Sequence, residues 1–200
     1  MMRLRYSARS PFVRKVLVAA MELDLDEEIE RVAADVWSED SDIDLDNPLK
    51  RVPALTTEAD GTFVDSTLIC RYLDSRAGGN LFPRHGEGWG MLQLYQFADG
   101  VMESAVGWTV ETTRRAPGRM DEWFVARHEK RILQTLDAIE RDWAFDSQRV
   151  DIATITLACA LGYLDFRMDK LGWRDDRPRL SRFYEGFADR PSMKATAPPA

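Results

Sequence analysis

Ser10 stands directly before Pro11, where one sequence pattern gives way to another. Met2, Leu4 and Tyr6 alternate with Arg3 and Arg5, the period of a strand, whereas Phe12, Val13, Val16, Leu17, Ala20 and Met21 recur at helical spacing. Ser is a favoured helix N-cap and Pro a favoured first helical residue. A hydroxyl there lies among unpaired backbone N–H groups at the positive end of a helix dipole, a place that favours an anion. It can donate a hydrogen bond to a bound thiolate and so hold a thiol, with a reference pKa of about 8.5, in its reactive form. A plain N-cap accounts for the same residue, and both readings stand at this point.

Two further places could do related work. Val52-Pro53 is an X–Pro bond, where a cis peptide is cheap. Cis, it leaves the Val52 N–H and C=O free to pair with an extended peptide ligand; trans, it is an ordinary strand start. Asp65-Ser66 opens a helical pattern (Leu68, Ile69, Tyr72, Leu73). The Ser hydroxyl and helix-start N–H groups could receive a carboxylate and Asp65 an ammonium, which suits the head of an amino acid; a capping pair is the alternative. The two cysteines, Cys70 and Cys159, lie far apart in apolar segments and read as structural thiols.

The elements that position these residues follow β-α-β and then β-β-α. A second strand falls around Ile29 to Val32. Pro53 to Thr57 and Thr62 to Val64 form a hairpin about Asp60-Gly61. Gly78-Gly79-Asn80 ends the next helix and the stretch to Gly90 reads as a linker. We expect domains at 1–77 and 89–200 with a linker at 78–88. The second domain should be all helical, with helices at about 89–115, 120–143, 151–168 and 178–189 and a loop after Arg190-Pro191. Residues 152–164 are apolar almost all round and predict a central buried helix. The aromatics Trp89, Tyr95, Phe97, Trp108, Trp123 and Phe124 read mostly as core.

Composition narrows the function. The chain has 200 residues, 44% apolar, with 27 basic against 34 acidic side chains and a net charge of −7. It can bury a real core and is not disordered. No apolar run approaches the roughly 18 residues of a membrane helix, and the acidic balance argues against a general nucleic-acid binder. His85 and His128 lack metal-ligand spacing, and two cysteines cannot make a disulfide framework, which fits a reducing cytoplasm. The run Val16 to Met21, flanked by Lys15 and Glu22, is too short for a signal peptide. Arg3, Arg5, Arg9, Arg14 and Lys15 make residues 1–15 basic, while 22–46 are acidic with only Arg31 opposing. These read as two solvated faces, or the basic start as part of an anion site.

The motifs together resemble the glutathione S-transferase family along almost the whole chain, most of all its bacterial branch with Ser before Pro. YSARSPFVRKV looks like the family's first strand and active-site helix, NPLKRVPAL like its motif around the cis proline, and DSTLICRYL like its acidic-Ser helix start. VDIATITLACALGYLDFR and RPSMKATAP resemble its sixth helix and C-terminal segment. The resemblance implies a thioredoxin-like N-terminal domain, an all-α C-terminal domain and glutathione as co-substrate. It implies that Pro53 is cis, that Val52 pairs with the cysteinyl part, and that Asp65 and Ser66 hold the γ-glutamyl end. Arg51, or its neighbour Lys50, would hold the glycyl carboxylate; Phe12 joins this set, and Asp99 matches a position that reaches across a dimer in some members. Ser10 is the first choice for activating the thiol, with Tyr6 and Ser7 as alternatives. No Cys stands at position 10, which argues against a mixed-disulfide mechanism. Met102, Val106 and Trp108 mark the expected hydrophobic substrate site.

The implied activity is conjugation of glutathione to a small hydrophobic electrophile by a cytoplasmic homodimer, without metal, nucleotide, nucleic acid or membrane. The alternatives are a binding module of the same fold with little catalysis, and a glutathione-dependent peroxidase, reductase or isomerase. One departure concerns the sixth helix. The family begins it Ser/Thr-x-x-Asp, whereas this chain has Asp151-Ile152-Ala153-Thr154. Asp caps well, but Thr154 brings no carboxylate to reach back, which predicts a weaker helix start.

Overall fold

Alternation in β1 (Met2–Tyr6) buries Met2 and Leu4 on one side of a strand that becomes central to its sheet. The computed structural model describes residues 1–84 and 86–199, so His85 lies outside the described residues. β1 pairs in parallel with β2 (Ile29–Ala33), Leu4 opposite Arg31, and antiparallel with β3 (Ala54–Thr57), Leu4 opposite Leu55. β3 turns through Asp60-Gly61 into β4 (Gly61–Val64), where Gly61 has φ +78°. The order is β2-β1-β3-β4. Helix α1 (Pro11–Glu22) makes the crossover between β1 and β2, and α2 (Ser66–Arg76) follows the hairpin. This is the expected βαβ-ββα arrangement.

The rest is helical: α3 (Trp89–Arg114), α4 (Glu122–Asp142), α5 (Ile152–Arg167), α6 (Pro178–Ala188) and α7 (Pro191–Ala195). Every residue of α5 from Ile152 to Leu164 is buried, as its unbroken apolar run demands. α3 packs on α4 and α5, and α5 also packs on α1, so one hydrophobic core runs through both halves. α1 is consequently buried far beyond its apolar face: Arg14 and Lys15 are buried with it.

Four expectations are corrected. The loop after Pro191 contains α7, a single turn that closes onto α1, where Arg14 Nη2 donates to the Met193 carbonyl at 2.9 Å. The start of α5 is not weak: Asp151 Oδ1 accepts from Thr154 N–H at 2.9 Å and Thr154 Oγ1 accepts from Asp151 N–H at 3.0 Å. A hydroxyl therefore makes the return bond that a carboxylate makes in the usual capping box. The basic start is not one solvated face: Arg5, Arg14 and Lys15 are buried, while Arg3 and Arg9 stay exposed and Arg9 lines a cleft. Arg3 pairs with Asp46, Arg5 with Asp42 and Asp46, and Lys15 with Asp99, so the acidic segment neutralises part of the basic one. Trp89 and Trp123 are exposed rather than core.

Candidate functional site

A cleft of about 820 Å³ opens between the two halves, with the β1–α1 turn and the 34–52 loop on one wall and α3 with α5 on the other. Of the residues singled out above, Ser7, Ser10, Phe12, Lys50, Arg51, Val52 and Val106 line it.

Ser10 is the N-cap of α1, as its place before Pro11 requires, and its Oγ accepts from Val13 N–H at 3.3 Å. That bond uses an oxygen lone pair and leaves the hydroxyl proton to donate. The two readings of Ser10 are thus compatible: the cap fixes the oxygen at the helix start, on the cleft wall, where the dipole also favours negative charge. Ser7 lines the cleft in the same turn, and its carbonyl accepts from Ser10 N–H at 3.1 Å. Tyr6 ends β1, half-buried, and does not line the cleft.

The Val52–Pro53 bond is cis, with Pro53 buried and Val52 on the cleft wall. The loop that presents it is organised by Asn47, a residue given no role above. Asn47 is buried; its Nδ2 donates to the Arg51 carbonyl at 2.8 Å and its Oδ1 accepts from Leu49 N–H at 3.0 Å. A buried Asn that bonds both sides of a turn fixes that turn. Lys50, at φ +51°, reaches Asp44 at 3.7 Å, whereas Arg51 is exposed and makes no ion pair among the described residues.

Asp65 is the N-cap of α2 and accepts from Thr67 N–H at 2.8 Å and Leu68 N–H at 3.3 Å. It sits at φ +75°, a left-handed conformation that costs an L-residue about 1–3 kcal/mol and gathers at functional positions. Ser66 beside it is buried. Neither lines the cleft proper.

Asp99 is not a surface residue. Its Oδ1 accepts from Lys15 Nζ at 2.8 Å, with the Lys15 side chain wholly buried. Lys15 also reaches Tyr95 Oη at 3.4 Å, and Tyr95 shares a hydrogen bond with Thr67. Burial works against the Lys15 ammonium, but Asp99, with Cys70 and Tyr95, more than offsets it and the Lys15 pKa is raised. Burial pushes the Cys70 thiol up to about 12 and Cys159 to about 11, so neither is a nucleophile near neutrality.

On the helical wall Met102 is wholly buried and Trp108 donates from Nε1 to Glu129 Oε1 at 2.9 Å, so neither reaches the cleft. Its lining on α3 runs instead through Val106, Val110 and Thr113, a stripe at helical spacing. Of the expected Met102, Val106 and Trp108, only Val106 lies on this wall; helical spacing carried on from Val106 toward Arg114 finds the rest of it. Sequence reasoning also missed Trp37 and Arg167, which come from a loop and from the end of α5. Among the described residues no cluster of three His, Cys, Asp or Glu side chains could hold a metal ion, and no helix is long and apolar enough to cross a membrane.

Residues 9–76 match the family model for the N-terminal domain of glutathione S-transferase, and residues 121–186 the model for its C-terminal domain. An uncharacterized GST-like protein of Escherichia coli (strain K12), YibF, is 32% identical over 99% of both chains. A glutathione transferase family member from Pseudomonas fluorescens Pf-5, solved with bound glutathione, superposes with a TM-score of 0.94 at 36% identity over 100% of both chains. A family member from the same organism, solved with bound S-(propanoic acid)-glutathione, gives a TM-score of 0.89 at 35% identity over 100% of this chain and 98% of that one.

Proposed function

The chain belongs to the glutathione S-transferase family, and from that premise we propose that it binds glutathione in the cleft and conjugates it, through sulfur, to a small hydrophobic electrophile. The observation that carries this is Ser10: a hydroxyl fixed by capping on the cleft wall, with its proton still free to donate.

Glutathione lies extended along the sheet domain. The Val52 backbone beside cis-Pro53 pairs with the cysteinyl part. Arg51 receives the glycyl carboxylate in preference to Lys50, whose ammonium already faces Asp44. Asp65 and Ser66 take the γ-glutamyl ammonium and carboxylate at the start of α2. The sulfur then sits at the start of α1, where the Ser10 hydroxyl and the helix dipole favour the thiolate over the thiol. Phe12, Val106 and Val110 hold the acceptor's apolar part beside it, so that rate comes from a lowered thiol pKa and from proximity. The thiol supplies its own nucleophile, so the chemistry calls for neither metal nor nucleotide, and the protein works as a cytoplasmic homodimer. Binding of glutathione and of S-(propanoic acid)-glutathione by the Pseudomonas fluorescens relatives supports the reading, including room for a small substituent on sulfur.

Calorimetry with glutathione tests the first half and mass spectrometry of the conjugate with 1-chloro-2,4-dinitrobenzene the second. We expect saturable heat, and the aryl thioether with chloride displaced. Absence of heat refutes glutathione binding; heat without conjugate removes transfer to this aryl electrophile and leaves glutathione binding standing.

A further inference from the structure

Residues 42–52 lead up to the two backbone and side-chain contacts that Val52 and Arg51 make under the proposed reading, yet this segment has little of its own to hold it. Between Asp42 and Arg51 only Ile43 and Asn47 are buried, while Leu45 and Leu49 are 86% and 66% exposed. Its regular structure is a single 3₁₀ turn, Ile43–Leu45. A segment with so few buried apolar contacts has low local stability unless something else ties it down.

The tie comes from the central strand. Arg3 and Arg5 alternate with Leu4 and so lie on the other face of β1. The Arg5 side chain is buried there, and its fork of donors meets two carboxylates of the segment. Nη1 donates to Asp42 Oδ2 and to Asp46 Oδ2, both at 3.2 Å, and Nη2 donates to Asp42 Oδ1. Asp46 Oδ1 also accepts from Arg3 Nη2 at 2.8 Å and from Thr56 Oγ1 at 3.4 Å. A buried guanidinium is tolerable only with such partners, and its planar fork suits carboxylates better than an ammonium does. From Asp46 the hold passes along the chain. The N–H groups of Asp46 and Asn47 donate to the Ile43 carbonyl at 3.1 and 2.8 Å, and Asn47 Nδ2 donates to the Arg51 carbonyl. An unbroken series of contacts thus runs from Arg5 to Arg51.

We propose that Arg5 is a positioning residue for glutathione: by gripping Asp42 and Asp46 it fixes the loop that presents Arg51 to the glycyl carboxylate. This rests on the glutathione reading and adds to it a residue outside the cleft lining. A loop already held in its bound shape spares the ligand the cost of ordering it. The effect falls on one end of the tripeptide. Val52 is followed directly by cis-Pro53 and β3, so the sheet holds it. Ser10 and Asp65-Ser66 stand at the starts of α1 and α2, and among the described residues neither helix receives a hydrogen bond from this cluster. Loss of Arg5 therefore loosens the grip on glycine and leaves the cysteinyl and γ-glutamyl contacts in place.

Calorimetry with glutathione and with γ-glutamylcysteine, the same ligand without its glycine, tests this without relying on turnover. The wild type should bind glutathione about tenfold more tightly than the dipeptide, as expected for one charge-assisted contact. Arg5→Gln should weaken glutathione about tenfold and the dipeptide by at most about twofold, so that the preference nearly disappears. Asp42→Asn alters an acid whose side chain is 63% exposed, and it serves should Arg5→Gln not fold; it should cut the preference to about half. Arg76→Gln, which breaks an exposed pair with Glu28 on α2, should retain the full preference. Equal loss of both ligands, as a general loosening of the fold would give, overturns the proposal. So does a preference untouched by Arg5→Gln and Asp42→Asn, or a wild type that binds the two ligands equally, and each of these leaves glutathione binding standing. Failure of the wild type to bind glutathione at all is a different result and removes both readings.

Discussion

Lys15 Nζ lies 2.8 Å from Asp99 Oδ1, and this pair joins the first helix of the sheet domain to the first helix of the helical domain. No part of the Lys15 side chain meets water. Its ammonium also faces the Phe12 and Tyr95 rings at 5.9 and 5.1 Å. A charge in that setting is tolerable only while its partner is present.

Asp99→Asn should therefore cost about 3–5 kcal/mol, because it keeps the shape and strands the ammonium. The double variant Lys15→Met/Asp99→Asn should recover most of the loss, since removing both charges removes the burial penalty. Urea unfolding of the two variants and the wild type measures both. Equal losses in the single and double variants would mean that the pair is not coupled.

Glu22 ties the end of α1 to the C-terminal segment, accepting from Arg190 at 2.9 and 2.7 Å and from Ser192. The Arg190 hydrogen bond, then that of Ser192, outweighs burial and holds the Glu22 carboxyl below its ordinary value. A carboxylate with a depressed folded pKa adds stability above its unfolded value, near 4.5, and loses it as pH falls through the folded one. Glu22→Gln should cost about 1–3 kcal/mol at pH 7. It should also flatten the dependence of stability on pH below about 4.5. Denaturation at pH 7 and pH 3 checks the sign; an equal cost at both would exclude the ionised tether.

Thr154 makes the return bond of the α5 capping box through a hydroxyl. Thr154→Val should cost about 1 kcal/mol and Thr154→Ser much less, since only the first loses the acceptor. Thermal melts of the pair decide it, and a larger loss for Thr154→Ser than for Thr154→Val would point to packing of the methyl group.

Cys70 and Cys159 are free and buried. With their thiols pushed up to about 12 and 11, neither should react with a thiol reagent at pH 8 until the protein unfolds. Rapid labelling of the native protein would contradict this burial.

The sequence was most legible where local chemistry decides the structure. Ser10-Pro11, Asp60-Gly61 and Asp65-Ser66 announce a helix start, a turn and a second helix start through their own side chains. The unbroken apolar run of α5 announces a buried helix. Properties set by distant partners were not legible. Lys15 looks like any basic surface residue until α3 brings Asp99 to it from 84 positions away. α7 is a single turn stabilised by contact with Arg14, so it carries little periodicity of its own. The far side of the cleft combines a loop Trp, the last turns of α3 and the end of α5, and only packing unites them.

The central claim concerns the protonation of one sulfur beside Ser10. Ultraviolet thiolate absorbance of glutathione bound to the wild-type protein and to Ser10→Ala, titrated from pH 5 to pH 10, tests it most directly. The account predicts that the bound thiol ionises below about 7.5 in the wild type and returns toward about 8.5 in the variant. A bound thiol that titrates near its free value, or a shift untouched by loss of the hydroxyl, would contradict it.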